Sequence, residues 1–305
     1  RSHFGSSSDC PLPPSPKRAH LCRRDMAAAV QQPTSSLASG AHPWATFPNN
    51  HLLPPLAAQS PAVSQPAPAG APTWSSPQPG SPLHELRRAV REEDWERLHS
   101  EGLTKIGMRA EWSAGPERCS ILQWLISANQ ARRALEVGSF CGAGALALAE
   151  AVAADGEVHA LELDGYVVDF GKRFWMRSSC GKKISHSIGP AMESLKKLAE
   201  EARAGQLQPF DVAVVDADKE GMRSYFDLLW TTPGLLSEGA IVCVDMTPFK
   251  GQPPLRYAKY GFPHRWESSS GQEEINALRV AVAASPDFQA YEFGGLLIVQ
   301  RSHAQ

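Results

Sequence analysis

The stretch Glu136-Val137-Gly138-Ser139-Phe140-Cys141-Gly142-Ala143-Gly144 decides the fold. An apolar run ends at Gly138, and alanines and leucines suited to a helix follow Gly144. The junction reads as a strand over 134–138 turning through glycines into a helix over 142–154. Glycines let backbone approach a ligand closely, and the N-terminus of the following helix favours negative charge. A nicotinamide site opens similarly, and so does a strand–helix turn that binds nothing. Two features set this junction apart: the glycines are spaced GxxxGxG rather than GxGxxG, and Glu136 stands two residues before the first of them. A carboxylate there meets a cationic amino-acid group better than a pyrophosphate.

Working outward, the pattern alternates. Strands are expected over 158–163, 183–188, 211–215 and 239–244, with helices over 166–178, from Pro190 to a stop at Gly205, and through Met222, Tyr225, Phe226, Leu229 and Trp230. A helix over 273–284 and strands over 288–293 and 296–300, joined at Gly294-Gly295, close the chain. Upstream, Ser81-Pro82 reads as an N-cap and first helical position, and Leu83, Leu86, Val90, Trp95 and Leu98 as one face of a helix. A second helix should begin at Gly115-Pro116-Glu117 and run through Ile121, Leu122, Trp124, Leu125 and Ala128. Alternating βα units predict an α/β fold: a doubly wound, mainly parallel sheet of seven strands, with an antiparallel hairpin at one edge.

Composition bounds the domain. From Met26 to His84 there is no Asp, Glu, Lys or Arg, and most of the 25 prolines precede Leu83. Such a tract lacks the apolar periodicity that offsets ordering entropy, so residues 1–80 are expected to be a disordered tail and 81–305 the single domain. Its early basic residues resemble an organelle transit peptide, but the Arg-rich amphipathic pattern is missing, and a plain tail on a cytoplasmic protein is the expectation. No basic stripe points to nucleic acid, and no run of about 18 apolar residues would span a membrane. The six cysteines form no CxxC pair, which fits reduced thiols rather than disulfides or zinc.

The remaining candidate residues close the predicted strands. Glu162, within Ala160-Leu161-Glu162-Leu163-Asp164, is placed to accept hydrogen bonds from two ribose hydroxyls, while Asp164 is better suited to capping the next helix. The fourth strand ends Val214-Val215-Asp216-Ala217-Asp218-Lys219 and the fifth Val244-Asp245. Open α/β sheets bind ligands at this edge, and Asp216 facing Asp245 would suit a hard divalent cation. The alternative for each acid, Asp218 above all, is to cap the helix or loop that follows.

Residues from about 115 to 301 resemble the cation-dependent O-methyltransferases of the caffeoyl-CoA and catechol type. The matching pieces are Leu135-Glu136-Val137-Gly138-Ser139-Phe140-Cys141-Gly142, Gly189-Pro190-Ala191-Met192, Val215-Asp216-Ala217-Asp218-Lys219 and Asp245-Met246-Thr247-Pro248-Phe249-Lys250-Gly251. The resemblance implies a Rossmann-like methyltransferase sheet and transfer of a methyl group from S-adenosylmethionine to a hydroxyl of a small catechol- or phenylpropanoid-like acceptor. It also implies a homodimer. It assigns Glu136, Gly138 and Ser139 to the methionine end of the cofactor, with Gly144 left a backbone contact where the family has a serine. Glu162 falls to the ribose, and Ala191 and Asp218 to the adenosine side. Asp216 and Asp245 become ligands of a divalent cation such as Mg2+, with Asp216 also acting on the acceptor, and Lys219 the base that takes the acceptor's proton.

One position departs: the family's third ligand is an Asn after the second Asp, and here it is Met246, a soft and weak donor for magnesium. Met246 thus keeps a metal-independent methyltransferase open, and Met246 with Gly144 a cofactor-binding pseudoenzyme; a nicotinamide-dependent oxidoreductase on a similar sheet is a further rival, which the glycine spacing argues against. Lys219 has a plainer reading too, as a surface lysine at a helix start. The segment 248–272, with Tyr257, Tyr260, Phe262 and Trp266, is expected to line the acceptor site.

Overall fold

A computed structural model describes residues 78–247 and 271–302. The expected tail lies outside the described residues except for positions 78–80, as do Phe249, Gly251 and the aromatics of the 248–272 segment.

Helix α1 (Pro82–Glu92) starts where the sequence places it: the Ser81 side chain accepts from the His84 N–H and proline fills the first turn. The predicted single helix is in fact two. After Val90 the next apolar residue is five positions on, which breaks helical spacing. Glu93 turns extended, and Asp94 accepts from the Arg97 N–H to start α2 (Trp95–Ser100). Helix α3 (Pro116–Ala128) follows, then the alternating part of the chain.

Strand β1 (Arg133–Val137) leads to α4 (Ala143–Ala151), β2 (Glu157–Glu162) to α5 (Gly165–Trp175), and β3 (Ile184–Ile188) to α6 (Ala191–Arg203). Then come β4 (Phe210–Val215), α7 (Met222–Thr231), β5 (Leu236–Asp245), α8 (Gln272–Ala284), β6 (Phe288–Phe293) and β7 (Leu296–Arg301). The seven strands lie in the order β3-β2-β1-β4-β5-β7-β6. Pairs from β3 through β5 are parallel, while β7 runs antiparallel to both β5 and β6. Gly294 and Gly295 both hold positive φ, 56° and 73°, as a two-residue hairpin between twisted strands requires.

Period-two alternation sorts the strand residues between two apolar cores. Ala134, Val158, Val214 and Cys243 pack with α1 to α5 on one face; Leu135, Val137, Val215 and Val244 pack with α6, α7 and α8 on the other. Strand order reverses between β1 and β4, so the crevice where such sheets bind ligands opens beyond the C-terminal ends of those strands. Among the described residues, no helix is long and apolar enough to cross a membrane.

Candidate active site

The two central turns are pressed together. The Asp216 N–H donates to the Val137 carbonyl at 2.9 Å, and a Cβ on Gly138 would stand 2.5 Å from the Asp216 carbonyl oxygen. Gly138, at φ +88°, is thus required both by its conformation and by the strand beside it.

Glu136 is on the α3/α4 face of β1, 4 % exposed, its carboxylate lying over the first turn of α4. The Ala145 N–H donates to it, yet Oε2 is buried with no hydrogen-bond partner among the described residues. Burial, reinforced by the negative charges of Asp216 and Glu162, pushes its carboxyl well above the usual range. The Ser139 hydroxyl is likewise buried and has no hydrogen-bond partner among the described residues. A polar atom so placed costs free energy until something binds it.

Gly144 explains how Glu136 fits. A Cβ at this position would overlap Glu136 Oε1 and sit 3.0 Å from its Cδ. The glycine is the room the carboxylate occupies. Gly144→Ser should therefore displace Glu136, with an overpacking cost of about 1–3 kcal/mol. Urea denaturation would check it; a serine variant as stable as the parent would mean that the carboxylate moves freely.

Glu162 ties two turns together. Its Oε2 accepts from the Phe140 N–H at 2.7 Å and Oε1 from the Asp164 N–H at 3.1 Å. Burial raises its pKa, opposed by these backbone donors. Asp164 caps α5 as expected, accepting from the Tyr166 N–H, and also accepts from the Lys105 N–H. Ala191 is the first residue of α6, and the preceding Gly189 donates to the Glu162 carbonyl at 2.8 Å. Asp218 is exposed and engaged locally, its oxygens accepting from the Gly221 N–H and the Tyr225 hydroxyl, both at 2.6 Å. That is the capping alternative.

The fourth and fifth strand ends meet as a buried ionic cluster. Lys219, 4 % exposed, donates to the Asp245 carboxylate at 2.7 Å and to its carbonyl at 2.9 Å. The plainer reading as a surface lysine is overturned: the side chain is enclosed. The expectation of a base is altered as well, because Lys219 spends these contacts as a donor to Asp245. Thr247 donates to both Asp245 oxygens, at 2.8 and 2.7 Å.

The member that the sequence reading missed is Arg118, on α3. It donates to Asp245 Oδ1 at 2.5 Å and reaches Asp216 Oδ2 at 3.4 Å. Partial burial and the neighbouring Asp245 charge push Asp216 above the usual carboxylate range. Burial alone would raise Asp245 also, but Lys219 and Arg118 hold it well below the usual carboxylate range.

A divalent cation does not fit this pair. Both expected ligands instead face the Arg118 guanidinium, which occupies the space between their oxygens. Met246, the departing position, is 6 % exposed and packs in the core on the α6–α8 face, opposite the carboxylates.

With this geometry in hand, comparison with known proteins is specific. The profile of the family described as O-methyltransferase matches residues 91–254. The mouse (Mus musculus) protein described as catechol O-methyltransferase domain-containing protein 1 is 33 % identical over 136 residues, 45 % of this chain and 50 % of that protein. Tricin synthase 1 of Oryza sativa subsp. japonica is 34 % identical over 136 residues, 44 % of this chain and 53 % of that one. The chain thus spans about half the length of these curated relatives. Among solved structures, the O-methyltransferase TomG of Streptomyces achromogenes superposes with a TM-score of 0.55 at 20 % identity, covering 75 % of this chain and 92 % of that one. At such identity the superposition speaks for the fold.

Proposed function

The chain belongs to the O-methyltransferase family, and from that premise we propose that it transfers a methyl group from S-adenosylmethionine to a hydroxyl of a small phenolic acceptor. The observation that carries this reading is that Glu136 Oε2 and Ser139 Oγ, both near the glycine turn, are buried with no hydrogen-bond partner among the described residues. A carboxylate and a hydroxyl in that state match the ammonium and carboxylate of a methionine group, whose positive charge would also offset the burial and the negative neighbours that raise Glu136. Relatives described as a tricin synthase and a catechol O-methyltransferase domain protein support a phenolic hydroxyl as the acceptor class.

When bound, the cofactor supplies an electrophilic sulfonium methyl group for an in-line displacement. The protein's part is placement and charge. Glu136 and Ser139 would hold the amino-acid end, Glu162 the ribose hydroxyls, and the α6 N-terminus at Ala191 would serve the adenosine side. Arg118 and Lys219 present positive charge at the strand edge, which favours an acceptor oxygen as its anion. Asp216, the most open carboxylate of the cluster with its side chain 32 % exposed, is placed to accept the hydroxyl proton.

Glu162→Gln tests the cofactor half. The amide turns one acceptor into a donor facing a backbone N–H, and a charge-assisted partner for the ribose is lost. Affinity for S-adenosylhomocysteine should fall by roughly 1.5–3 kcal/mol, about ten- to a hundredfold. Titration calorimetry decides: an unchanged dissociation constant in a folded variant rejects the ribose role, and no binding by the wild type rejects the reading itself. Methylation of a catechol or caffeate acceptor by the wild type tests the other half.

A further inference from the structure

We propose that Arg118 takes the place of a divalent cation between Asp216 and Asp245, so that methyl transfer at this site is independent of metal. The proposal rests on the methyltransferase reading above for what the site does, but its geometry stands on the cluster alone.

The position of Arg118 is built. It falls on the buried stripe of α3 with Ile121, Leu122 and Leu125, at spacings of three, four and seven. An arginine there is enclosed by packing, and its side chain is only 10 % exposed. Its two terminal nitrogens divide between the carboxylates, Nη2 to Asp245 and Nη1 to Asp216. A guanidinium is planar, always charged and suited to bridging two oxygens, which is the task a cation would perform here.

Asp245 has little left to offer a metal. Oδ1 accepts from Arg118 and Thr247, and Oδ2 from Lys219 and Thr247. Three donors, with the single Thr247 hydroxyl proton shared between the two oxygens, take up most of the roughly four acceptor sites of a carboxylate. A metal entering here would have to displace two cations from a buried anion. It would gain no third ligand from Met246, whose side chain lies in the opposite core. The loss of the usual Asn and the presence of Arg118 thus belong together: one removes a ligand, the other supplies the charge.

The test is binding of Mn2+ followed by electron paramagnetic resonance, which needs no acceptor and no turnover. Wild-type protein should leave Mn2+ free up to about 1 mM, the weak end of biological cation sites. Arg118→Gln removes the internal cation and should tighten Mn2+ binding tenfold or more, because two close carboxylates are then left with Lys219 alone. Arg118→Lys restores the charge and should restore exclusion. S-adenosylhomocysteine is titrated in parallel: its failure to bind would strike the methyltransferase reading, while the Mn2+ results still judge Arg118. Two results would overturn the proposal. One is a wild-type Mn2+ site that Asp245→Asn abolishes; the other is a folded Arg118→Gln protein whose Mn2+ affinity stays within twofold of wild type. If the Gln variant does not fold, the wild-type titration decides: exclusion of Mn2+ supports the proposal, and a Mn2+ site that Asp245→Asn abolishes overturns it.

Discussion

Lys219→Met should lower kcat for methyl transfer at least a hundredfold while leaving affinity for S-adenosylhomocysteine within about threefold. Removing a group that stabilises charge or moves a proton in a transition state costs on the order of 10²–10⁴ in rate. Lys219 is one of two cations in the cluster, 2.7 Å from the Asp245 carboxylate. Methionine has similar length and no charge, so the packing around a side chain only 4 % exposed is largely kept. Arg118 still pairs with Asp245 in the variant, which argues for a folded protein. The split between parameters is diagnostic. A fall in kcat at constant KM places Lys219 at the reacting oxygen, whereas a rise in KM alone places it in binding. A kcat within threefold of wild type would leave Lys219 as a brace for Asp245 and move the burden to Arg118. Lys219→Arg, which keeps the charge, should recover part of the loss.

Much of this site could be read before the fold was known, and the reason is local. Gly138, Glu136 and Glu162 sit at strand ends whose places follow from apolar runs, and Asp164 precedes its helix at a capping distance. Each depends on neighbours a few residues away. Period two along β5 also held a signal that went unused: Val242, Val244 and Met246 share one parity and Cys243 and Asp245 the other. That alternation places Met246 across the sheet from the carboxylates, so the expectation of a weakened ligand at this position becomes one of a core residue.

Arg118 was legible only in part. It lies 98 residues from Asp216 and 127 from Asp245, and no local rule pairs positions so far apart. Yet a charge on the apolar stripe of a helix is costly unless partnered, and its spacing with Ile121, Leu122 and Leu125 was visible. That spacing predicts a buried counter-ion somewhere. The sheet alone reveals which one. Gly144 is similar: the resemblance marked it as a lost serine, while three-dimensional packing shows it making room for Glu136.

Asp245→Ala should be the most destabilising of these substitutions, at about 3–5 kcal/mol, because it leaves buried cations without their anion. Asp245 is 4 % exposed and receives Arg118, Lys219 and Thr247. In the alanine variant Lys219 keeps only the backbone carbonyl of residue 245, and Arg118 keeps only its 3.4 Å contact with Asp216. Neither replaces a shared carboxylate. Arg118→Gln should cost less, since Asp245 then still holds Lys219 and Thr247 and stays compensated. The sign of the pH dependence follows from the cluster. Burial would raise the Asp245 carboxyl, but Lys219 and Arg118 hold it below the usual range. Its contribution is therefore fully present above the unfolded carboxylate value of about 3.9, and is lost only as pH falls through the lower folded one. At pH 7.5 urea denaturation followed by tryptophan fluorescence measures the whole effect. A loss under about 1 kcal/mol would mean that water reaches Arg118 and Lys219 as soon as the carboxylate is gone. The cluster would then be an open surface network, and a guanidinium standing in for a metal would have no enclosed site in which to do so.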